Sequence, residues 1–473
     1  MVMAVFALWA QNGMSQPPGG GNGGGPGGGN GGGSASVTLS VSASGYGQSS
    51  GTNVVEDKTY SSSSADENIV QVTGGTFTMN NCIVTKTSGD TESNGDDDSF
   101  YGVNSALYCG ESGSVLNVSG GTISTGAMGC NSVFATNSGV INIEGTTISN
   151  TKDRSRGIHA TYGGVIKAAN LNVTTAGTSS SVIATDRGGG TVTVEGGTYT
   201  AKGMNSAVTY STGTISVTGI TGRSEIGEAG VIEGDNTITM NNCSMTSGST
   251  KRGLMILQSG SGDSEGYDGE IAINGGSVTL TEDGTPLLEI PTNITGTLTL
   301  TDVELKVPSN MLMYVDYNTQ WSTYGGTGNL ILASNDTWSY TGNVDADNTG
   351  TANVEVKKGV TWNGSIDTDN NAKSTTVTIN EGVWVLTADS YIDKVVNNGT
   401  IYLNGHKLNA GNITGSGSVN EGTTGITGVA TSSTKVAHFV YTLGGQRLNV
   451  DGNSLKDLPQ GVYVVNGKKI LVK

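Results

Sequence analysis

A repeat of about 25 residues is the feature that most limits what this chain can fold into. Each copy carries apolar residues five positions apart around a polar centre that is mostly Gly and Thr. The clearest copies are VTGGTF at Val72, VSGGTI at Val118, IEGTTI at Ile143 and VEGGTY at Val194. A constant period of this kind indicates stacked units, because the strands of a β-sandwich show no such fixed repeat.

Three short β-strands fit into each repeat, separated by turns rich in Gly, Ser and Asn. Leucine-rich repeats have a similar period, but their leucine signature is absent. The pattern therefore predicts an all-β chain, a right-handed parallel β-helix over residues 36–425 with Val and Ile inside. At a rise of about 4.8 Å per coil, roughly 15 coils would form a rod about 70 Å long.

The tetrapeptide Met-Asn-Asn-Cys occurs twice, ending at Cys82 and at Cys243, 161 residues apart. We interpret both copies as the same turn of the solenoid, about seven coils apart. The other two cysteines are Cys109 and Cys130, and no pair has the CxxC spacing of a zinc site. We expect all four to be small buried residues without an obligatory disulfide.

A second sequence pattern recurs within the repeats, as VNSALY at Val103, CNSVFA at Cys130 and MNSAVT at Met204. It places Asn104, Asn131 and Asn205 at similar points of their repeats. We predict that these three side chains align along the axis in one turn and form a ladder of amide hydrogen bonds.

Composition argues against several classes of function. The 473-residue chain has a formal net charge of −17, which argues against a nucleic-acid partner because nucleic-acid binders gather Lys and Arg on one face. Residues 1–10 are apolar and uncharged, as in a partial signal peptide, and residues 11–35 form a Gly-rich linker. We expect export, with no transmembrane span.

Catalytic constellations are scarce in this sequence. The histidines His159, His406 and His438 are scattered, and no nucleophile motif accompanies them. The candidates for lyase chemistry are Lys152, Asp153, Arg154, Arg156, Asp186 and Arg187. A salt-bridged turn explains these residues more simply, so we predict no catalytic residue.

Two acidic pairs, Asp345/Asp347 and Asp367/Asp369, follow each other one coil apart. Their carboxylate oxygens could bind Ca²⁺. Asx-turns, in which the side chain bonds to nearby backbone amides, are the simpler explanation. We therefore predict no metal site and no cofactor, with Ca²⁺ as the open alternative.

Three tryptophans, Trp338, Trp362 and Trp384, recur at nearly the coil period. The stretch around them resembles coils of autotransporter-type adhesin passengers. The repeat as a whole is similar to the pectin-lyase-like parallel β-helix. The NTD, DD, GHG and RIK motifs of polygalacturonases are absent.

Composition changes after Gly428, where a linker at 426–435 leads to a segment at 436–473. This segment resembles the C-terminal sorting domain of the type IX secretion system. The matching residues are Tyr441, Leu443, Gly445, Arg447, Leu458, Gly461, Tyr463, Lys468, Lys469 and Lys473. Thr442 stands where that family usually has Asp. Its alternating apolar residues also predict a small β-sandwich.

The resemblance implies export by the type IX machinery, removal of this domain, and frequent attachment to a surface glycolipid. The protein would then lie outside a Gram-negative bacterium or on its outer-membrane surface. We expect a non-enzymatic adhesin or structural rod that binds host or matrix glycans or proteins.

Two alternatives remain open, a polysaccharide lyase or glycoside hydrolase on a β-helix, and a binder of carbohydrate or ice-like surfaces. Flat Ser/Thr/Asn faces would favour adhesion. A cleft lined by acids and a base would favour an enzyme.

Overall fold

The computed structural model describes residues 41–91, 97–421, 440–442, 447–448, 458–465 and 468–472. The chain divides into two compact units, Met1–Asn420 and Glu421–Lys473. The predicted signal segment and both predicted linkers lie outside the described residues. Among the described residues, no helix is long and apolar enough to cross a membrane.

The first unit is a parallel β-helix, as the repeat predicts. Its first sheet consists of twelve parallel strands that follow one another in chain order. They are β1 (Ala43–Gln48), β4 (Asn68–Val72), β7 (Leu107–Cys109), β10 (Val133–Ala135), β13 (Ile158–Ala160), β15 (Ile183–Thr185), β17 (Thr209–Ser211), β20 (Gly230–Glu233), β22 (Leu254–Leu257), β24 (Leu288–Ile290), β27 (Met311–Val315) and β30 (Asn343–Ala346).

The second sheet has 21 strands and bends into two limbs. The first limb contains β2 (Thr52–Glu56), β5 (Gly75–Asn80), β8 (Ser114–Ser119), β11 (Val140–Glu144), β14 (Gly164–Thr175), β16 (Gly190–Ala201), β18 (Thr214–Thr218), β21 (Thr237–Ser247), β23 (Asp268–Leu280), β25 (Thr295–Thr301), β28 (Thr327–Ala333), β31 (Thr351–Val356), β33 (Ser374–Ile379), β35 (Ser390–Asn397) and β37 (Leu408–Thr414). These fifteen rungs agree with the predicted number of coils.

The second limb continues the long strands β14, β16, β21 and β23. Its separate strands are β3 (Thr59–Ser62), β6 (Ile83–Lys86), β9 (Thr122–Thr125), β12 (Thr147–Asn150), β19 (Thr221–Ser224) and β26 (Glu304–Lys306). A third sheet of five strands completes the later coils, with β29 (Trp338–Thr341), β32 (Val360–Gly364), β34 (Val383–Leu386), β36 (Thr400–Tyr402) and β38 (Ser418–Asn420). The helix α1 (Asp97–Tyr101) lies in an insertion between β6 and β7.

Strand register stacks like residues on like. In the first sheet Val70, Leu107, Val133 and Ile158 pair in one column, and each is fully buried. Burial of apolar surface of this kind stabilises a fold by about 25 cal/mol per Å². The interior of the unit is therefore a continuous column of β-branched and aliphatic side chains, as the sequence predicts.

The two Met-Asn-Asn-Cys copies occupy the same turn, which confirms that part of the interpretation. Asn81 and Asn242 both adopt the left-handed conformation at the bend between the two limbs, with φ of 52° and 51°. Strand register places Cys82 and Cys243 six coils apart, not seven. The difference arises because the insertion that carries α1 lengthens one coil. All four cysteines are buried and free, as expected.

The predicted asparagine ladder is not formed by the residues we named. Asn104 donates to the carbonyls of Gly89 (2.9 Å) and Met128 (3.3 Å), and Asn131 donates to that of Ser99 (2.8 Å). The register of β7, β10 and β17 sets Asn104, Asn131 and Asn205 at three different distances from their strands. The spacings of the three asparagines, 27 and 74 residues, differ from the 26 and 76 residues that separate their registered strands, and an approximate repeat period does not show so small a difference.

Serines form the ladder in that turn instead. The backbone N–H of Cys130 donates to the hydroxyl of Ser155 (3.2 Å), that of Ser155 to Ser180 (3.0 Å), and that of Ser180 to Ser206 (2.9 Å). The three serines are fully buried. A small hydroxyl that both accepts and donates thus satisfies backbone groups between successive coils.

The tryptophans stack in part. The rings of Trp362 and Trp384 lie parallel, 5.0 Å apart, and both are fully buried. Their indole N–H groups donate to the carbonyls of Gly342 (2.8 Å) and Gly364 (2.9 Å). Trp338 lies two residues out of register, because Tyr340 pairs with Trp362.

The second unit contains four antiparallel strands, β39 (Val440–Thr442), β40 (Arg447–Leu448), β41 (Gly461–Val465) and β42 (Lys468–Val472). They form one sheet, so the predicted sandwich is not confirmed. Among the residues of the predicted sorting signal, Tyr441, Arg447, Gly461 and Tyr463 lie on these strands. Gly445 and Lys473 lie outside the described residues.

Removing one rung of the serine ladder should destabilise the β-helix. Ser180→Ala leaves the buried N–H of Ser155 without its acceptor, which typically costs about 1–3 kcal/mol. We expect the thermal unfolding midpoint to fall, as followed by circular dichroism. Ser149→Ala is the matched control, since Ser149 is exposed on the second limb. Equal midpoints for both variants would show that the ladder contributes nothing.

Candidate functional site

Much of the outer face of the first sheet is covered, although its side chains point away from the core. Tyr108, Phe134, His159 and Ala184 follow one another in one outward column at the centres of short strands. All four are buried. Two chain segments contact the groups at and beside this column, namely the helix α1 and residues 258–266, and we call them the first and second covering segments. Further along the same face, Trp321 packs against the cluster that contains Val231 and Met255.

The first covering segment is held by two arginines. The guanidinium of Arg156 lies 5.0 Å from the ring centroid of Phe100, and that of Arg187 lies 4.6 Å from it. Arg156 also donates to the hydroxyl of Ser99 (2.7 Å). Cation–π contacts of this kind contribute more when the groups are withdrawn from water, as Phe100 and Arg156 are here.

The second covering segment is held by carboxylates. Arg187 Nε lies 2.7 Å from Asp263 Oδ1, so one arginine links both covering segments. Glu233 accepts hydrogen bonds from the hydroxyls of Tyr210 (2.8 Å) and Ser261 (3.0 Å), and also from that of Ser259. The two segments therefore lie over one continuous polar network.

Asp186 lies at the centre of this network. Its Oδ2 is 3.2 Å from Arg156 Nη2, and its Oδ1 accepts the backbone N–H of Arg187 (3.1 Å). Burial raises the pKa of Asp186 to about 7 despite the nearby Arg156. His159 Nε2 is 3.8 Å from Asp186, and burial, together with Arg156, lowers the pKa of His159 well below its ordinary value. His159 is therefore neutral near pH 7.

Burial also shifts the pKa values of two neighbouring groups, Glu233 and Tyr210. Burial raises the pKa of Glu233, and hydrogen bonds from Ser259 and Tyr210 oppose that effect. Burial and the charge of Glu233 raise the pKa of Tyr210 well above 10.0. Acidic residues with shifted pKa values beside arginines are typical of functional sites, but structural ion-pair networks produce the same pKa shifts. This network is covered, so it presents no open cleft.

The structure brings three of the six lyase candidates together, namely Arg156, Asp186 and Arg187. Arg156 and Asp186 form the ion pair that the simpler explanation predicted. Asp153 instead accepts the backbone N–H of Thr178 (2.8 Å). Lys152 is exposed. Arg154 contacts the sulfur of Met128 at 3.1 Å.

Sequence analysis missed Phe100, Tyr210, Glu233 and Asp263. Phe100 and Asp263 lie in the covering segments, whose positions cannot be derived from the repeat. Tyr210 and Glu233 lie on first-sheet strands, where alternation of inward and outward positions indicates an outward-pointing side chain. That alternation is the one signal that could have identified them.

A second buried ionic group lies several coils further along the chain. Arg252 is 3.0 Å from Glu289 and 3.6 Å from Glu228. Burial raises the pKa of Asp316 to about 7, and the charge of Glu289 acts in the same direction. Removing one partner of such a pair strongly destabilises a protein, because a buried charge is left uncompensated.

The acidic pairs of the later coils also meet. One carboxylate oxygen from each of Asp345, Asp367 and Asp369 lies within 4.8 Å of the others. Burial raises the pKa of Asp345 to about 6, with further contributions from Asp369 and Asp367. Hydrogen bonds of the predicted turn type are also present, since Asp347 accepts the backbone N–H of Thr349 (2.8 Å). Binding of Ca²⁺ at these acids stays the open alternative to the prediction of no metal site.

The outer face of the second sheet is open by contrast. On the first limb, a shallow groove of about 590 Å³ crosses five coils from β5 to β16. On the second limb, two outward columns consist almost entirely of hydroxyl residues. These are Thr122, Thr147, Asn172, Thr198, Thr221, Ser244 and Ser277 in one column and Ser124, Ser149, Thr174, Thr200, Arg223, Thr246 and Thr279 in the other.

Stability should fall as pH rises through the weakly acidic range. Folded Asp186 keeps its proton up to about pH 7, whereas its ordinary pKa is 3.8, so between these values the unfolded chain binds fewer protons. The free energy of unfolding should therefore decrease with rising pH in this window. Asp186→Asn should flatten part of this slope in chemical denaturation series. Asp153→Asn, at an exposed position, is the control, and an unchanged slope for Asp186→Asn would contradict the assignment.

Comparisons with known proteins leave the function to be inferred from the residues themselves. No family model, no curated protein and no solved structure matches this chain. What the protein does must therefore be inferred from two outer faces, one covered by an ionic network and one open and polar.

Proposed function

We propose that the protein is a non-enzymatic, adhesin-like rod whose working surface is the open outer face of the second sheet. The observation that supports this is the contrast between the two faces. Acids and arginines are buried beneath the covering segments, whereas Ser, Thr and Asn side chains stand exposed over many coils. A largely polar surface suits attachment to an extended glycan or protein ligand, since it offers hydrogen-bond donors and acceptors at regular spacing.

The covered network fits a structural role in this proposal. Arg187 joins Phe100 to Asp263, so it fastens both covering segments to the first sheet. A buried ion pair is weak evidence for stability in itself, because desolvation offsets its attraction. Its contribution here is positional, since it holds two irregular segments over strands whose outward side chains would otherwise face water.

We further propose that the protein acts outside the cell, on the outer-membrane surface of a Gram-negative bacterium. The apolar start of the chain and the likeness of residues 436–473 to a type IX sorting domain support this. The secretion machinery would then be a partner, and the sorting segment would be removed after export.

Deleting residues 463–473 should block export. The deletion removes the lysine-rich end and Tyr463, whose hydroxyl donates to the carbonyl of Pro459 (2.8 Å). We expect the shortened protein to accumulate in the periplasm with its β-helix folded, as judged by cell fractionation and by the circular dichroism of the purified product. Val419→Ser, at an exposed position near the end of the β-helix, is the control. Normal surface display after the deletion would contradict the sorting role.

Binding can be tested with the full chain on arrays of glycans and matrix proteins. We expect attachment to a restricted set of ligands, lost when bulky residues interrupt the open face, as in Thr198→Trp combined with Ser244→Trp. Asp153→Asn serves as the control outside that face. Attachment to nothing on either array, by a folded and correctly exported protein, would contradict the adhesin proposal.

A carbohydrate-active enzyme is the second candidate, favoured by the gathering of Asp186, Glu233 and Asp263 beside two arginines. Glycoside hydrolysis uses paired carboxylates, and a carboxyl group whose pKa is raised towards neutrality suits proton transfer. Release of reducing or unsaturated sugar ends from a polysaccharide, abolished by Asp186→Asn, would favour this candidate over the adhesin.

A further inference from the structure

We propose that the groove on the first limb of the second sheet binds a linear, uncharged polysaccharide lying along the axis of the β-helix. This inference rests on the proposed adhesive function and names the ligand class for one part of the open face. The groove is lined by two parallel columns of outward side chains from five consecutive coils.

The groups in the groove are those that bind sugar hydroxyls. One column contains Thr78, Asn117, Asn142, Lys167 and Thr193, and the other contains Asn80, Ser119, Glu144, Ala169 and Glu195. Amides and hydroxyls both donate and accept hydrogen bonds, and carboxylates accept at two oxygens. Vicinal hydroxyls of a sugar ring require this mixture.

The groove floor is already ordered before any ligand arrives. Asn142 donates to the amide oxygen of Asn117 (2.8 Å), and Asn117 donates to the hydroxyl of Thr78 (3.3 Å). Ser119 donates to Glu144 (3.1 Å). Side chains held in such a chain lose little conformational freedom on binding, which favours affinity.

Charge and shape select the occupant. The groove is lined by two acidic residues, Glu144 and Glu195, and one basic residue, Lys167, so its net charge is small and would not strongly attract a polyanion or a polycation. A peptide binding by strand addition needs an open sheet edge, and this groove lies on a sheet face. Five coils span about 19 Å at the strand spacing, so a sugar chain along the axis would meet similar groups at each coil.

The test is calorimetric titration of the full chain with a panel of linear oligosaccharides. The neutral probes are hexaoses of β-1,4-glucose, β-1,4-mannose, β-1,4-xylose, β-1,3-glucose and β-1,4-N-acetylglucosamine, and hexagalacturonate is the charged comparator. We expect at least one neutral hexaose to bind, and the hexagalacturonate to bind more weakly or not at all.

Two groove variants locate the site. Glu195→Ala and Asn142→Ala should each weaken binding about five- to tenfold, the change expected for lost polar contacts. Glu195 is exposed, so its variant tests binding even if Asn142→Ala fails to fold. Asp153→Asn, at an exposed position outside the open face, should leave the dissociation constant unchanged.

Each other outcome overturns the proposal. Absence of binding by every neutral hexaose would exclude this ligand class, and tighter binding of hexagalacturonate would exclude an uncharged ligand. Neutral binding unaffected by the two groove variants would place the ligand elsewhere and leave the adhesive function intact. Failure of the adhesive function itself would instead appear as loss of attachment to every arrayed ligand.

Discussion

The in-register parallel ladder between successive coils is the constraint on which the rest of this structure depends. Successive coils pair over two or three strands, so most strand residues have a counterpart about 4.8 Å away along the axis. Inward positions become continuous apolar columns such as Val70, Leu107 and Val133. Outward positions become continuous surface columns, some of which are covered by irregular chain while others are open.

Covering segments decide which columns remain open. Over the first sheet, Phe100 and Asp263 meet Arg187, and the network around Asp186 is withdrawn from water. Over the second sheet the described residues leave the Ser, Thr and Asn columns exposed. The same repeat thus yields an open polar face, which we propose is used for attachment, beside a face whose charges mainly hold irregular chain in place.

Much of the fold could be predicted from the sequence, because stacking enforces a period that the chain displays directly. The parallel β-helix, the shared turn of Cys82 and Cys243 and the burial of the cysteines all follow from that period. Side-chain alignment within turns could not be predicted. Asn104 and Asn131 are 27 residues apart, whereas their strands pair at 26 residues, so the two side chains fall one position out of register and serines occupy the ladder. Only part of the covered network could be predicted from the sequence, because Asp263, which pairs with Arg187, lies in an insertion outside the repeat.

The central claim is that the face over the second sheet is accessible and the face over the first sheet is not. Its most direct test is the rate of native-state labelling by a polyethylene glycol maleimide at two single positions, Lys167→Cys and Ala184→Cys. Background should be low, because the four native cysteines are buried. Lys167 is exposed and Ala184 is fully buried, so fast labelling at position 167 and labelling limited by unfolding at position 184 are expected. Equally fast labelling at both positions would contradict the account, because the first sheet would then offer an open site.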